Sequence, residues 1–158
     1  MEKKQRTLNN KGFSLIELIV VIAIMAILVG ALAPQYMKFV ERSRKSTDVQ
    51  NVAAIKSALE VYAADPMVAT DDALKTGTVT ITTTEAPVSD SNATENGNKA
   101  LNAAGITSLL LKSSKWPDKS SGNITSYALT YTVSPNGTVK FSETELKTGY
   151  SILNGKYE

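Results

Sequence analysis

Residues Leu18 to Met37 form 20 consecutive positions without a charge, dominated by Ile, Leu, Val and Ala. A helix of that length and apolarity spans the hydrocarbon of a bilayer. Yet Glu17 stands at its start, between Ile16 and Leu18, with Phe13 and Leu15 before it. A charged residue in a membrane helix costs about 2.5–3.5 kcal/mol at the centre and less toward an end. An acid kept in that position needs a reason, and so does the Lys11-Gly12-Phe13 junction just ahead of it.

Composition narrows the choices. The chain has neither histidine nor cysteine. That excludes disulfides, thiolate or imidazole metal ligands, and Ser-His or Cys-His catalysis. The net charge of +2 comes from the N-terminus. Without residues 1–12, which hold Lys3, Lys4, Arg6 and Lys11 against Glu2, 13 basic and 14 acidic side chains remain. No stripe of interleaved basic and aromatic residues points to nucleic acid.

Four zones follow: a basic stretch (1–12), the apolar segment (13–37), an amphipathic continuation of the same helix (38–64) and a small head (65–158). In the third zone, Val52, Ile55, Leu59 and Tyr62 fall on one helical face. The charges from Lys38 to Asp48 read as a solvated face. Asp65-Pro66 is the expected stop, because proline disfavours helix in the residue before it. In the head, Val79 and Ile81 alternate with threonines as a strand does, and the rest of 76–98 reads as exposed, variable loop. Residues 98–114 read as a short helix weakened by Gly105. Residues 123–134 and 138–143 read as strands joined at Pro135-Asn136-Gly137, a hairpin signal. The tail could add one more strand, and Trp116 is expected to pack in the head.

The N-terminus has three physical readings. In the first, an ordinary secretory signal is cut after Ala31-Leu32-Ala33; Pro34 would then follow the cut, and the apolar run continues into an amphipathic helix instead of ending in a loop. In the second, the segment is a simple uncleaved anchor. In the third, cleavage falls between Gly12 and Phe13, so the basic stretch leaves and the helix stays. That cut frees an amine on Phe13, one turn from Glu17. An ammonium and a carboxylate buried together offset part of each other's desolvation. Glu17 would then pair with an amine of its own or a neighbouring copy, as a register device. Farther along, Pro34 removes a backbone donor and crowds the carbonyl of Gly30, so Gly30 and Pro34 mark a kink or a place that gives.

The stretch KGFSLIELIVVIAIMAILVGALAPQY resembles the N-terminal signature of type IV pilins and of the pseudopilins of type II secretion. Gly12, Phe13, Glu17 and Pro34 match that signature in identity and spacing. The resemblance covers residues 3–64 and implies an α+β, pilin-like fold: one long N-terminal helix and a globular head with an antiparallel β-sheet. It implies a structural role, not an enzyme's, with no cofactor. A prepilin peptidase would cut after Gly12 and N-methylate Phe13. The subunit would wait in the cytoplasmic membrane with its head outside. A membrane assembly platform and a cytoplasmic ATPase would then build it into an extracellular homopolymeric filament, with Glu17 of one copy meeting the Phe13 amine of another. A secretion pseudopilin, a DNA-uptake pilin, and a membrane-anchored extracellular binding module are the alternatives. Members of the family often pin a C-terminal loop with a cysteine pair; its absence here leaves the head's closure to packing alone.

Asn92-Ala93-Thr94, Asn123-Ile124-Thr125 and Asn136-Gly137-Thr138 fit the glycosylation pattern, which chance explains in so Thr- and Asn-rich a chain. Asp71-Asp72 and Asp90 lack the alternating oxygen ligands of a calcium loop.

Overall fold

The computed structural model describes residues 12–68, 73–84, 89–90, 96–144 and 146–157. Residues 1–11, Asp71-Asp72 and Asn92-Ala93-Thr94 lie outside the described residues. The elements in chain order are α1 (Leu15–Ala64), β1 (Gly77–Thr82), β2 (Ser89–Asp90), α2 (Asn96–Ala103), β3 (Ser126–Val133) and β4 (Val139–Glu143). The chain forms two compact units, Met1–Lys38 and Phe39–Glu158.

Helix α1 begins where Ser14 and Glu17 bracket its first turn, and its secondary structure is unbroken through Gly30 and Pro34. It stops at Asp65-Pro66 as the sequence predicts. The Asp65 amide tightens onto the Tyr62 carbonyl at 3.4 Å, and the Asp65 side chain accepts the Met67 amide at 2.8 Å. In the first unit every side chain described is exposed. Among the described residues, α1 is the one helix long and apolar enough to cross a membrane.

The second unit is a four-stranded antiparallel sheet, ordered β2-β1-β3-β4, packed on its own part of α1. Val52, Ile55 and Leu59 are fully buried, while Tyr62, the fourth residue of the expected face, is half-buried. Opposite them lie Val79 and Ile81 of β1 and Tyr127, Leu129 and Tyr131 of β3, all buried at period two. The alternation continues across the register, where Val79 faces Leu129 and Ile81 faces Tyr127. Such cross-strand pairs on one face are the unit of sheet stability. Trp116 is fully buried in the same core. The β3–β4 hairpin turns through Pro135-Asn136-Gly137. The Gly137 amide bonds the Ser134 carbonyl at 2.9 Å, and Gly137 takes φ +79°, a conformation that a residue with a Cβ resists.

Three expectations change. The helix expected over 98–114 runs only from Asn96 to Ala103. Gly105 adopts φ +74°, and the Ile106 amide turns back to the Leu101 carbonyl at 2.8 Å, which ends the helix. The segment 76–98 is not all loop beyond β1, because Ser89 and Asp90 pair with Thr80 and Val79. Among the described residues, the tail adds no strand to the sheet. It closes on itself instead, with Ser151 and Lys156 exchanging backbone bonds of 2.8 Å around Gly155.

Candidate assembly and processing site

Phe13 is 85 % exposed, and nothing lies within 4 Å of where a Gly12 side chain would begin. Glu17 sits in the first turn of α1, where a negative charge complements the free backbone amides and the helix dipole. Its Oε2 accepts the Ser14 amide at 2.9 Å, and the Leu18 amide bonds the Ser14 carbonyl at 3.3 Å. This is the reach-back half of a capping box. The signal stood in the sequence as Ser14-Leu15-Ile16-Glu17, ahead of the apolar run. Glu17 therefore has a local task in addition to any role between copies. From Gly12 to Phe39 every residue is exposed, so α1 presents an apolar surface on all sides. A helix that is apolar all round belongs inside a membrane or a protein core. Gly30 has no neighbour within 4 Å of where a Cβ would stand, so no contact among the described residues demands a glycine there.

The charged face read as solvated is partly buried. Asp48 is 1 % exposed and accepts three hydrogen bonds: from the Lys112 amide at 2.6 Å, the Ser113 amide at 3.0 Å and the Trp116 indole N–H at 2.8 Å. Burial pushes its carboxyl above the usual range, and those three donors oppose the shift. Seven residues earlier, Glu41 accepts the Ser113 hydroxyl. Between the two acids, Lys45 points its Nζ at the rings of Trp116 and Tyr150, 5.2 and 5.1 Å from their centroids. Burial holds its ammonium below the ordinary lysine range, with Glu41 opposing. Tyr157 meets Trp116 edge-on at 6.1 Å. Glu41, Lys45 and Asp48 recur at helical spacing, so one face of α1 fastens residues 111–116. The partners lie 64 to 72 residues away in the chain, beyond the reach of local pattern reading.

A second fastening corrects the expectation that packing alone closes the head. Glu143, at the end of β4, accepts the Tyr127 hydroxyl at 2.9 Å, the Leu153 amide at 2.9 Å and the Ser151 hydroxyl. Burial raises the Tyr127 phenol, and the Glu143 charge beside it adds to the shift, so the phenol remains a donor. The carboxylate ties the C-terminal turn to the sheet, and Ile152 beside that turn is fully buried. Among the described residues, no group of three acids could hold a metal ion.

A family model described as "Prokaryotic N-terminal methylation motif" matches residues 7–33. The chain is 44 % identical over 50 residues to a "Fimbrial protein" of Pseudomonas aeruginosa, covering 32 % of each chain. It is 43 % identical over 58 residues to "Prepilin peptidase-dependent protein A" of Clostridium perfringens, covering 36 % of this chain and 41 % of that one. It is 35 % identical over 65 residues to "Type II secretion system core protein G" of Dickeya chrysanthemi, covering 41 % and 39 %. The chain thus spans about a third to two fifths of the length of these curated relatives. No solved structure matches the chain.

Proposed function

We propose that this chain, a member of the type IV pilin and pseudopilin family, polymerises through its N-terminal helix into a filament on the outer side of the membrane that first holds it. The observation that carries the reading is the fully exposed apolar helix with an acid in its first turn. Such a helix needs an apolar surrounding, and a bundle of identical helices supplies one as well as lipid does. Transfer from lipid to that bundle exposes no apolar surface to water, so extraction carries no hydrophobic penalty. A prepilin peptidase cuts between Gly12 and Phe13, and the new Phe13 amine carries the N-methyl group. Glu17 of one copy pairs with that amine on another. Gly30 and Pro34 form the segment that bends as the helix changes surroundings, since a bundle offers the freed Gly30 carbonyl other partners. The membrane platform and the cytoplasmic ATPase supply position and work. The similarity to a type II secretion core protein favours a second use of the same polymer, as a short secretion pseudopilus.

The processing step has a direct test. Gly12→Val places a branched side chain beside the scissile bond. The variant is expected to accumulate as full-length precursor in the membrane fraction, while the unaltered chain begins at N-methylated Phe13 by mass spectrometry. A mature chain starting at Pro34 would instead establish an ordinary signal peptide.

A further inference from the structure

Three asparagines of the chain stand directly before a glycine: Asn96, Asn136 and Asn154. That pair has a reaction of its own, because a glycine nitrogen, unshielded by a side chain, can attack the asparagine side-chain carbonyl. The structure sets the three pairs apart. Asn96 is 6 % exposed at the start of α2, and its side-chain amide donates to the Ala73 carbonyl at 2.9 Å. Asn136 is exposed, but its side-chain carbonyl accepts the Thr138 amide at 3.2 Å, and the Gly137 amide is held by the Ser134 carbonyl at 2.9 Å. Asn154 and Gly155 are both exposed. The Gly155 amide donates to the Ile152 carbonyl over a longer 3.2 Å, and among the described residues no hydrogen bond restrains the Asn154 side-chain carbonyl.

Asn154 also belongs to the Glu143 clasp. Its backbone amide and its Nδ2 donate to Ser151 Oγ at 3.0 and 2.9 Å, and the Ser151 hydroxyl donates in turn to Glu143. A hydroxyl has two acceptor sites and one proton, so Ser151 is fully engaged.

We propose that Asn154-Gly155 is a self-modifying site, and that its deamidation releases the C-terminal clasp. The Gly155 nitrogen gives its proton to water and bonds to Asn154 Cγ. The Cγ–Nδ2 bond breaks, and Nδ2 leaves as ammonia. Water then opens the five-membered imide at either carbonyl, which gives aspartate or its β-linked isomer. One water is consumed and one ammonia released, with no oxidant and no enzyme. Aspartate has no side-chain donor for Ser151, and it brings a second carboxylate to a hydroxyl with one proton. The β-linked isomer lengthens the backbone inside the turn that Ser151 and Lys156 close with bonds of 2.8 Å. Either product loosens the tail from the sheet. The reaction runs one way, so it accumulates with the age of a subunit.

Trypsin places the three pairs on separate fragments, 76–99, 120–140 and 148–156. Detergent-solubilised full chain, aged at mildly alkaline pH, is digested and weighed. Fragment 148–156 is expected to gain the mass of an acid about fivefold faster than 120–140, the factor that one restraining hydrogen bond is worth. Faster conversion of 120–140 or of 76–99 overturns the site. The consequence is read by hydrogen exchange at the Leu153 amide, which Glu143 holds. Asn154→Asp is expected to speed that exchange about tenfold, and an unchanged rate overturns the release. Asn154→Gln, which would have to close a six-membered ring, is expected to keep its tail protected through the same incubation. Loss of protection in Asn154→Gln at the rate of the unaltered chain would show that ageing acts elsewhere.

Discussion

Glu17→Leu is expected to abolish filaments while leaving membrane insertion and cleavage after Gly12 intact. Insertion becomes easier, because a desolvation cost disappears. Assembly fails because the Phe13 ammonium of each neighbour is left unpaired in an apolar core. Breaking a buried pair in this way costs about 3–5 kcal/mol, and the cost recurs at every subunit of the polymer. The capping bond from the Ser14 amide supplies a competing explanation, since leucine loses that bond too. Glu17→Gln separates the two. Glutamine at this position still reaches back to cap the helix, but it carries no charge. If charge pairing governs assembly, both variants lack filaments by electron microscopy of sheared surface material, with normal amounts of processed chain in the membrane. If Glu17→Gln assembles normally and Glu17→Leu does not, Glu17 acts as a cap alone. A Glu17→Leu chain still presents its own amine, so it should enter filaments of the unaltered chain at reduced efficiency yet not propagate them alone.

The second large effect is expected at Asp48. Asp48→Ala leaves the Trp116 indole N–H and the Ser113 and Lys112 amides without their acceptor, the first two on fully buried residues. Each orphaned buried donor costs about 1–3 kcal/mol, so the loss is on the order of 3–5 kcal/mol against a typical total of about 5–15. At roughly 4–8 °C per kcal/mol for a head of this size, the melting temperature falls by more than about 12 °C. The near-ultraviolet signal of Trp116, the chain's one tryptophan, reports it in detergent-solubilised protein. Adding Trp116→Phe to Asp48→Ala removes one orphaned donor and should recover part of the loss, read from the far-ultraviolet signal because the tryptophan is gone. A change within a few degrees for Asp48→Ala would show that the three bonds contribute little. The dependence on pH has a definite sign. Burial raises the Asp48 carboxyl above its unfolded value. The part of its contribution that depends on the proton is therefore fully present below the unfolded pKa and is lost as pH rises through the folded one, while the three accepted hydrogen bonds persist in the ionised form. The stability gap between the unaltered chain and Asp48→Ala should narrow over that interval.

Much of the fold could be read from the sequence because its determinants are local. Val52, Ile55 and Leu59 share a face by spacing alone, Asp65-Pro66 ends a helix by steric rule, and Pro135-Asn136-Gly137 carries its own turn. The end of α2 is also local; Gly105 weakens a helix by composition, and its left-handed conformation makes it a stop. Ser14 and Glu17 form a capping box whose spacing is local as well. What could not be read was which charges would be covered. Lys45 and Asp48 look like any solvated pair until residues 112–116 and 150 fold over them. Glu143 looks like the polar end of an edge strand until the tail returns to it.

That return has a consequence for where the head can mature. A covalent staple closes only in the presence of an oxidant, and exchange enzymes correct its errors. The Glu143 clasp closes by hydrogen bonds to a phenol, a hydroxyl and an amide, with no electron transfer. With no cysteine in the chain, the head is expected to close equally in reducing and oxidising surroundings, with a melting curve that dithiothreitol does not shift. Folding of the head is thereby uncoupled from the redox poise of the compartment, because no step of its closure calls for an oxidase.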